Sequence, residues 1–122
     1  MASANQRPTV PNPTIERRRE VGNMISRHWR GVAKSQHADD YVQHLRSETF
    51  SRLSKIPGFI SASILRRNVQ RGVEFLIVTN WESIGAIERF AGRDSEVAVV
   101  PEKVQKMMLD YERRARHYEV LA

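Results

Sequence analysis

Cysteine is absent from the chain, which excludes a disulfide framework, a thiolate nucleophile and a cysteine-based zinc site. Packing alone must hold the fold. Long apolar runs are also lacking: Phe75–Val78 and Val97–Val100 are far shorter than the ~20 residues that a bilayer span needs. The polar, proline-bearing N-terminus has no apolar stretch of the signal-peptide kind. A soluble cytoplasmic protein is expected, without a membrane partner. At 122 residues the chain fits one domain, and such a domain buries about two thirds of its unfolded surface.

The formal net charge is +6, and its location decides what it implies. Residues 1–34 carry seven basic side chains, Arg17–Arg19 among them, against Glu16 and Glu20, a balance of +5; the remainder contributes +1. A phosphate-binding footprint should concentrate on one folded face, whereas this charge sits largely in a tail and the first strand. Met1–Pro13 has three prolines, small polar residues and no hydrophobic period, the composition of an extended arm. Residues 1–23 are therefore assigned to a basic arm and 24–122 to one domain.

Within that domain, Met24–Val32 reads as a strand. The segment from Ser35 to Ile56 reads as a helix, with Tyr41, Val42, Leu45 and Leu53 near helical spacing. Ser35 is its expected cap, and Asp39 and Asp40 suit the positive end of the helix dipole. Pro57–Gly58 ends it. Phe59–Asn68 and Val73–Trp81 read as a hairpin. Ser83 opens a helix ending near Gly92, Pro101 is placed at the first position of another running to about Leu109, and Arg114–Leu121 closes as a strand. The order βα-ββ-α(α)β is the split βαβ pattern of an α+β, ferredoxin-like fold with an antiparallel sheet.

One strand adds an argument about assembly. Val73, Phe75, Ile77, Thr79 and Trp81 share one face of Val73–Trp81, while Leu76 and Val78 join Glu74 and Asn80 on the other. A sheet open to water on one side should alternate apolar with polar. Helices cover one face of so small a sheet, and an uncovered apolar face is larger than soluble monomers tolerate. A second copy of the same sheet is the simplest cover, so a homodimer is expected.

Trp81 at the strand end, followed by Phe90-Ala91-Gly92-x-Asp94 and Ala98-Val99-Val100-Pro101, resembles the antibiotic-biosynthesis-monooxygenase family over about Met24–Leu121. The resemblance implies a dimeric α+β barrel and a small aromatic or quinone-like ligand. It places Trp81 in a pocket wall; the alternative is a core tryptophan at a strand end. His28 lies near where haem-degrading members carry an asparagine and could serve as a base, or be merely hydrogen-bonded. Asn80, Phe75 and Tyr118 complete the candidate substrate-binding set with Trp81, and His28 with Trp81 the catalytic one. His37 and His44 stand seven residues apart with no matching carboxylate, a poor metal constellation. No metal is assigned.

Departures from the family pattern limit what carries over. The resemblance places an iron-ligating histidine in haem degraders where Val97–Pro101 stands, and there is none here, so no cofactor is assigned. Ile77 stands where cofactor-independent members place an asparagine, and Ile87 where they place a tyrosine. RNA recognition on the same topology needs exposed stacking rings on the central strands; only Phe75 qualifies, and nucleic acid is not an expected partner. The expected function is small-molecule binding, with cofactor-independent oxygenation of an aromatic or quinol-type substrate as the implied activity. The other reading is a non-catalytic dimeric ligand-binding or stress-response module.

Overall fold

The computed structural model describes residues 23–122. The basic arm assigned to residues 1–23 lies, apart from Asn23, outside the described residues. The elements are β1 (Ile25–Ala33), α1 (Ala38–His44), α2 (Phe50–Leu53), β2 (Phe59–Val69), β3 (Gly72–Trp81), α3 (Ile84–Ala91), α4 (Glu102–Gln105), β4 (Met108–Tyr111) and β5 (Arg116–Glu119). A π-helical turn, Leu45–Thr49, joins α1 to α2. The expected helix over this region is thus one continuous segment that widens in the middle. Among the described residues, no helix is long and apolar enough to cross a membrane.

The sheet is antiparallel in the order β2-β3-β1-β4, with β5 also paired to β1. This is the ferredoxin-like arrangement, with its fourth strand in two pieces. β5 lies along Ile25–His28 and β4 along Gly31–Ala33, where the register shifts between Val32 and Ala33. Helices cover one face. Cross-strand partners share a face, so Ile25, Arg27, Trp29 and Ala33 stand beside Trp81, Thr79, Ile77 and Val73 on the helical side. Ser26, His28, Arg30 and Val32 stand beside Asn80, Val78, Leu76 and Glu74 on the open side.

Two local expectations are corrected. Pro101 is the N-cap of a four-residue helix, not the start of one reaching Leu109. Met108–Tyr111 is strand because Met108, Asp110 and Tyr111 pair with Ala33, Val32 and Gly31; the unpaired edge of β1 outweighs the helical propensity of the segment. Ser35 does not cap α1 either. It opens a short 3-10 turn, Ser35–His37, and the N-cap residue of α1 is His37, whose side chain makes no capping hydrogen bond to the helix backbone. Ser83 does cap α3, its hydroxyl accepting from the Ala86 amide at 3.1 Å.

Two core clusters lie between sheet and helices. Tyr41, Leu45, Phe75, Ile77, Val104 and Met108 belong to one, and Leu53, Trp81, Ala86 and Ile87 to the other. Full burial of a side chain such as Phe75 or Ile87 contributes about 1.5–3 kcal/mol. Gly58 lets the chain pass close to α3: its φ is 93°, and a Cβ there would lie 2.5 Å from the Ala86 Cβ, so a side chain would be both strained and obstructed.

Candidate functional site

The two clusters do not close completely against each other. Between them lies a chamber of about 70 Å³ with the helical face of the sheet as its floor. Arg27, Trp29, Ile77 and Thr79 rise from β1 and β3; Tyr41, His44, Leu45, Thr49, Phe50 and Leu53 descend from the helical segment. Phe90 and the run Val99–Pro101 close the sides. Five of these residues, His44, Thr49, Phe90, Val99 and Pro101, also border a wider vestibule of about 380 Å³ whose rim adds Glu48, Arg52 and Lys103. The interior is apolar with few polar groups, and the rim is charged. Small-molecule sites commonly have that distribution.

Sequence and backbone explain the walls. Trp29 is fixed by its Nε1–H donating to the Glu112 carbonyl at 2.8 Å, and its ring lies over Gly31, where a Cβ would approach the indole to 2.7 Å. The π-turn begins directly after His44 and supplies Leu45 and Thr49. Such turns interrupt α-helices frequently at functional sites.

Arg27 is a buried cation in the floor. Its guanidinium donates to the carbonyls of Ser95 and Val97 and contacts His117 Nε2 at 2.9 Å. No carboxylate lies within ion-pair distance of it among the described residues. Burial lowers its pKa to about 10, with Glu96 opposing, so Arg27 remains charged at neutral pH. His117 is held below the ordinary imidazole value, chiefly by burial and then by Arg27. Burial pushes the Tyr41 hydroxyl upward, which keeps that phenol protonated.

His44 is the least satisfied group. It is 6% exposed, and neither ring nitrogen has a hydrogen-bonding partner. Its Nδ1 lies 3.6 Å from Glu48 Oε2, and Glu48 accepts from Lys103 Nζ at 2.9 Å. Among the described residues, no three metal-ligating side chains converge.

The five residues singled out in the sequence do not converge on one place. Phe75 and Trp81 are fully buried on the helical face. Trp81 donates to Thr79 Oγ1 at 2.8 Å and stacks on Phe90, so it stands directly behind two chamber residues. His28, Asn80 and Tyr118 are on the open face. There His28 packs against Tyr118 with centroids 4.9 Å apart, Ser26 Oγ lies 2.9 Å from His28 Nε2, and Asn80 donates to Ser61 at 3.1 Å. Desolvation, then Arg116, lowers the His28 pKa.

Arg27, Trp29 and His44 were missed as wall residues. The alternation on β1 offered a signal, because a register setting Ile25 opposite Trp81 brings Arg27 and Trp29 to Trp81's face. That register is a tertiary fact. His44 carried a weaker signal, falling three residues after Tyr41 on the same helical face.

A family model described as antibiotic biosynthesis monooxygenase matches residues 24–108. No curated protein sequence matches significantly. Among solved structures, a Bacillus cereus protein named for the same family is 21% identical with a TM-score of 0.58, covering 83% of this chain and 96% of its own. SnoaB, a cofactor-independent oxygenase from Streptomyces nogalater, is 12% identical with a TM-score of 0.51 and coverages of 82% and 93%. A monooxygenase from the ActVA-Orf6 gene of Streptomyces coelicolor, in complex with nanaomycin D, is 15% identical with a TM-score of 0.52 and coverages of 83% and 89%. At these identities the likeness shows the shared fold.

Proposed function

The chain belongs to the antibiotic biosynthesis monooxygenase family, and on that premise we propose that it binds a small planar aromatic or quinol-type molecule in the chamber and oxygenates it without metal or flavin. The observation that carries this reading is the chamber itself, apolar on most sides, entered through a charged vestibule, and holding an unpaired imidazole and a buried guanidinium. The cofactor-independent activity named for SnoaB and the nanaomycin D bound to the ActVA-Orf6 protein support the same reading.

Chemistry of this kind needs an electron-rich substrate that loses a proton and passes an electron to dioxygen. The protein supplies burial, orientation and a proton acceptor. In this reading Trp81 and Phe75 act from behind the walls, Trp81 by holding Thr79 and Phe90. His28, Asn80 and Tyr118 face a second copy of the chain across the open side of the sheet. Dioxygen uptake with anthrone-like phenols and quinols tests the proposal. Uptake should occur with metal-free and flavin-free protein and be lost in Val99→Trp, which plugs the mouth with a large ring. Uptake unaffected by that plug would place the activity elsewhere.

A further inference from the structure

Resting on the chamber reading, we propose that His44 accepts the proton of an acidic hydroxyl on the ligand, so that the chamber selects phenols and enols and holds them as anions. Among the described residues, the two His44 ring nitrogens are the only buried side-chain polar atoms without a hydrogen bond. Buried polar groups are almost always paired in folded proteins, and an exception calls for a missing partner. The partner is not a metal held by neighbouring side chains, since no such group of ligands exists among the described residues. His44 borders both chamber and vestibule.

The surroundings define which nitrogen acts. Nδ1 is turned toward Glu48 Oε2 at 3.6 Å, and a carboxylate there favours the tautomer with the proton on Nδ1. Nε2 is then the acceptor. The ligand O–H bond breaks, an Nε2–H bond forms, and the electron pair stays on the ligand oxygen. An imidazolium and a phenolate or enolate result, with no oxidant or reductant required. Glu48, itself held by Lys103 at 2.9 Å, stabilises the imidazolium. The anion lies in a chamber whose floor carries Arg27, a cation hydrogen-bonded to carbonyls and His117 rather than to a carboxylate. Each new charge thus meets a fixed charge of opposite sign.

The test uses 4-nitrophenol, whose anion absorbs in the visible, and its methyl ether 4-nitroanisole, buffered on the acid side of the free phenol's pKa. Bound nitrophenol should show the phenolate band and bind about tenfold or more tightly than the ether, a difference of ~1.4 kcal/mol. His44→Gln should abolish the band and reduce nitrophenol affinity to that of the ether. Glu48→Gln, at an exposed position, should move the appearance of the band to higher pH while lowering the melting temperature only slightly, as loss of an exposed ion pair does. A phenolate band that persists in folded His44→Gln overturns the proposal in favour of Arg27 alone. Equal binding of phenol and ether without a band overturns the proposal but leaves the chamber reading standing. Failure of both probes to bind removes the chamber reading and this inference with it.

Discussion

The indole of Trp81 lies against the ring of Phe90 with centroids 6.1 Å apart and planes inclined by 24°. Trp81 is sealed from solvent, whereas Phe90 faces the chamber, and the guanidiniums of Arg27 and Arg52 lie 5.8 and 5.5 Å from its centroid. The stack couples the second core cluster to the chamber wall. A change at Trp81 therefore reaches the chamber through packing, even though the tryptophan does not line it.

The two tryptophans should accordingly separate in solution. Trp29 lines the chamber and Trp81 backs it, so binding of a quinol should quench fluorescence in Trp81→Phe and leave it nearly unquenched in Trp29→Phe. Trp81→Phe loses ring volume and its hydrogen bond to Thr79, and urea unfolding should show a loss of about 2 kcal/mol. Quenching that disappears in Trp81→Phe with Trp29 intact would put the ligand on the other side of the second cluster.

The sequence exposed the scaffold more readily than the site. Ser83, Gly92 and the apolar run within Val73–Trp81 are local signals, and each of those elements stands where its pattern put it. β4 was hidden because Met108–Tyr111 becomes strand only by pairing with Gly31–Ala33, some eighty residues earlier. The chamber was hidden for the same reason. Its floor depends on which residues of β1 meet Trp81, and a shift of one position exchanges Arg27 and Trp29 for His28 and Arg30. Hydrophobic pattern named the faces of β3; long-range register decided which polar side chains joined them.

Haem should not bind with a defined histidine-ligated spectrum. Val99, Val100 and Pro101 line the chamber as apolar contacts, in the stretch where the family resemblance called for an imidazole. A stoichiometric histidine-type Soret band that vanishes in His44→Ala would contradict this, because His44 is the imidazole that borders the cavity.

Acid should weaken the fold in two stages. His117 and His28 are both held below the ordinary imidazole value, each chiefly by burial, with Arg27 and Arg116 respectively as second causes. Their unfolded forms bind protons first, so stability should fall as pH drops below about 6.5 and the loss should be complete once pH passes their lowered native values. Glu48, Glu74 and Asp94 are lowered by their basic partners, and their contribution is lost only at lower pH. Melting temperatures followed from about pH 8 to about pH 5 isolate the histidines. His117→Gln should flatten that slope, its amide oxygen still able to accept from Arg27. An unchanged slope would mean that His117 is not desolvated in solution.

The open face of the sheet should be covered by a second copy. Leu65 and Leu76 are cross-strand partners there, Leu65 is 48% exposed and Tyr118 49%, and Val78 continues the apolar strip. At one end the strip gives way to Glu74, which pairs with Arg30 and Arg67, so the face has an apolar middle and a charged margin. Surfaces that pair stably commonly have that anatomy. Sedimentation equilibrium at micromolar concentration should give twice the chain mass of 14.1 kDa. Leu76→Glu should shift the population to monomer while the chamber-side core, which lies on the opposite face, keeps its circular dichroism. A wild-type monomer at that concentration would defeat the prediction, and it would leave the apolar side of β3 without the cover that its composition demands.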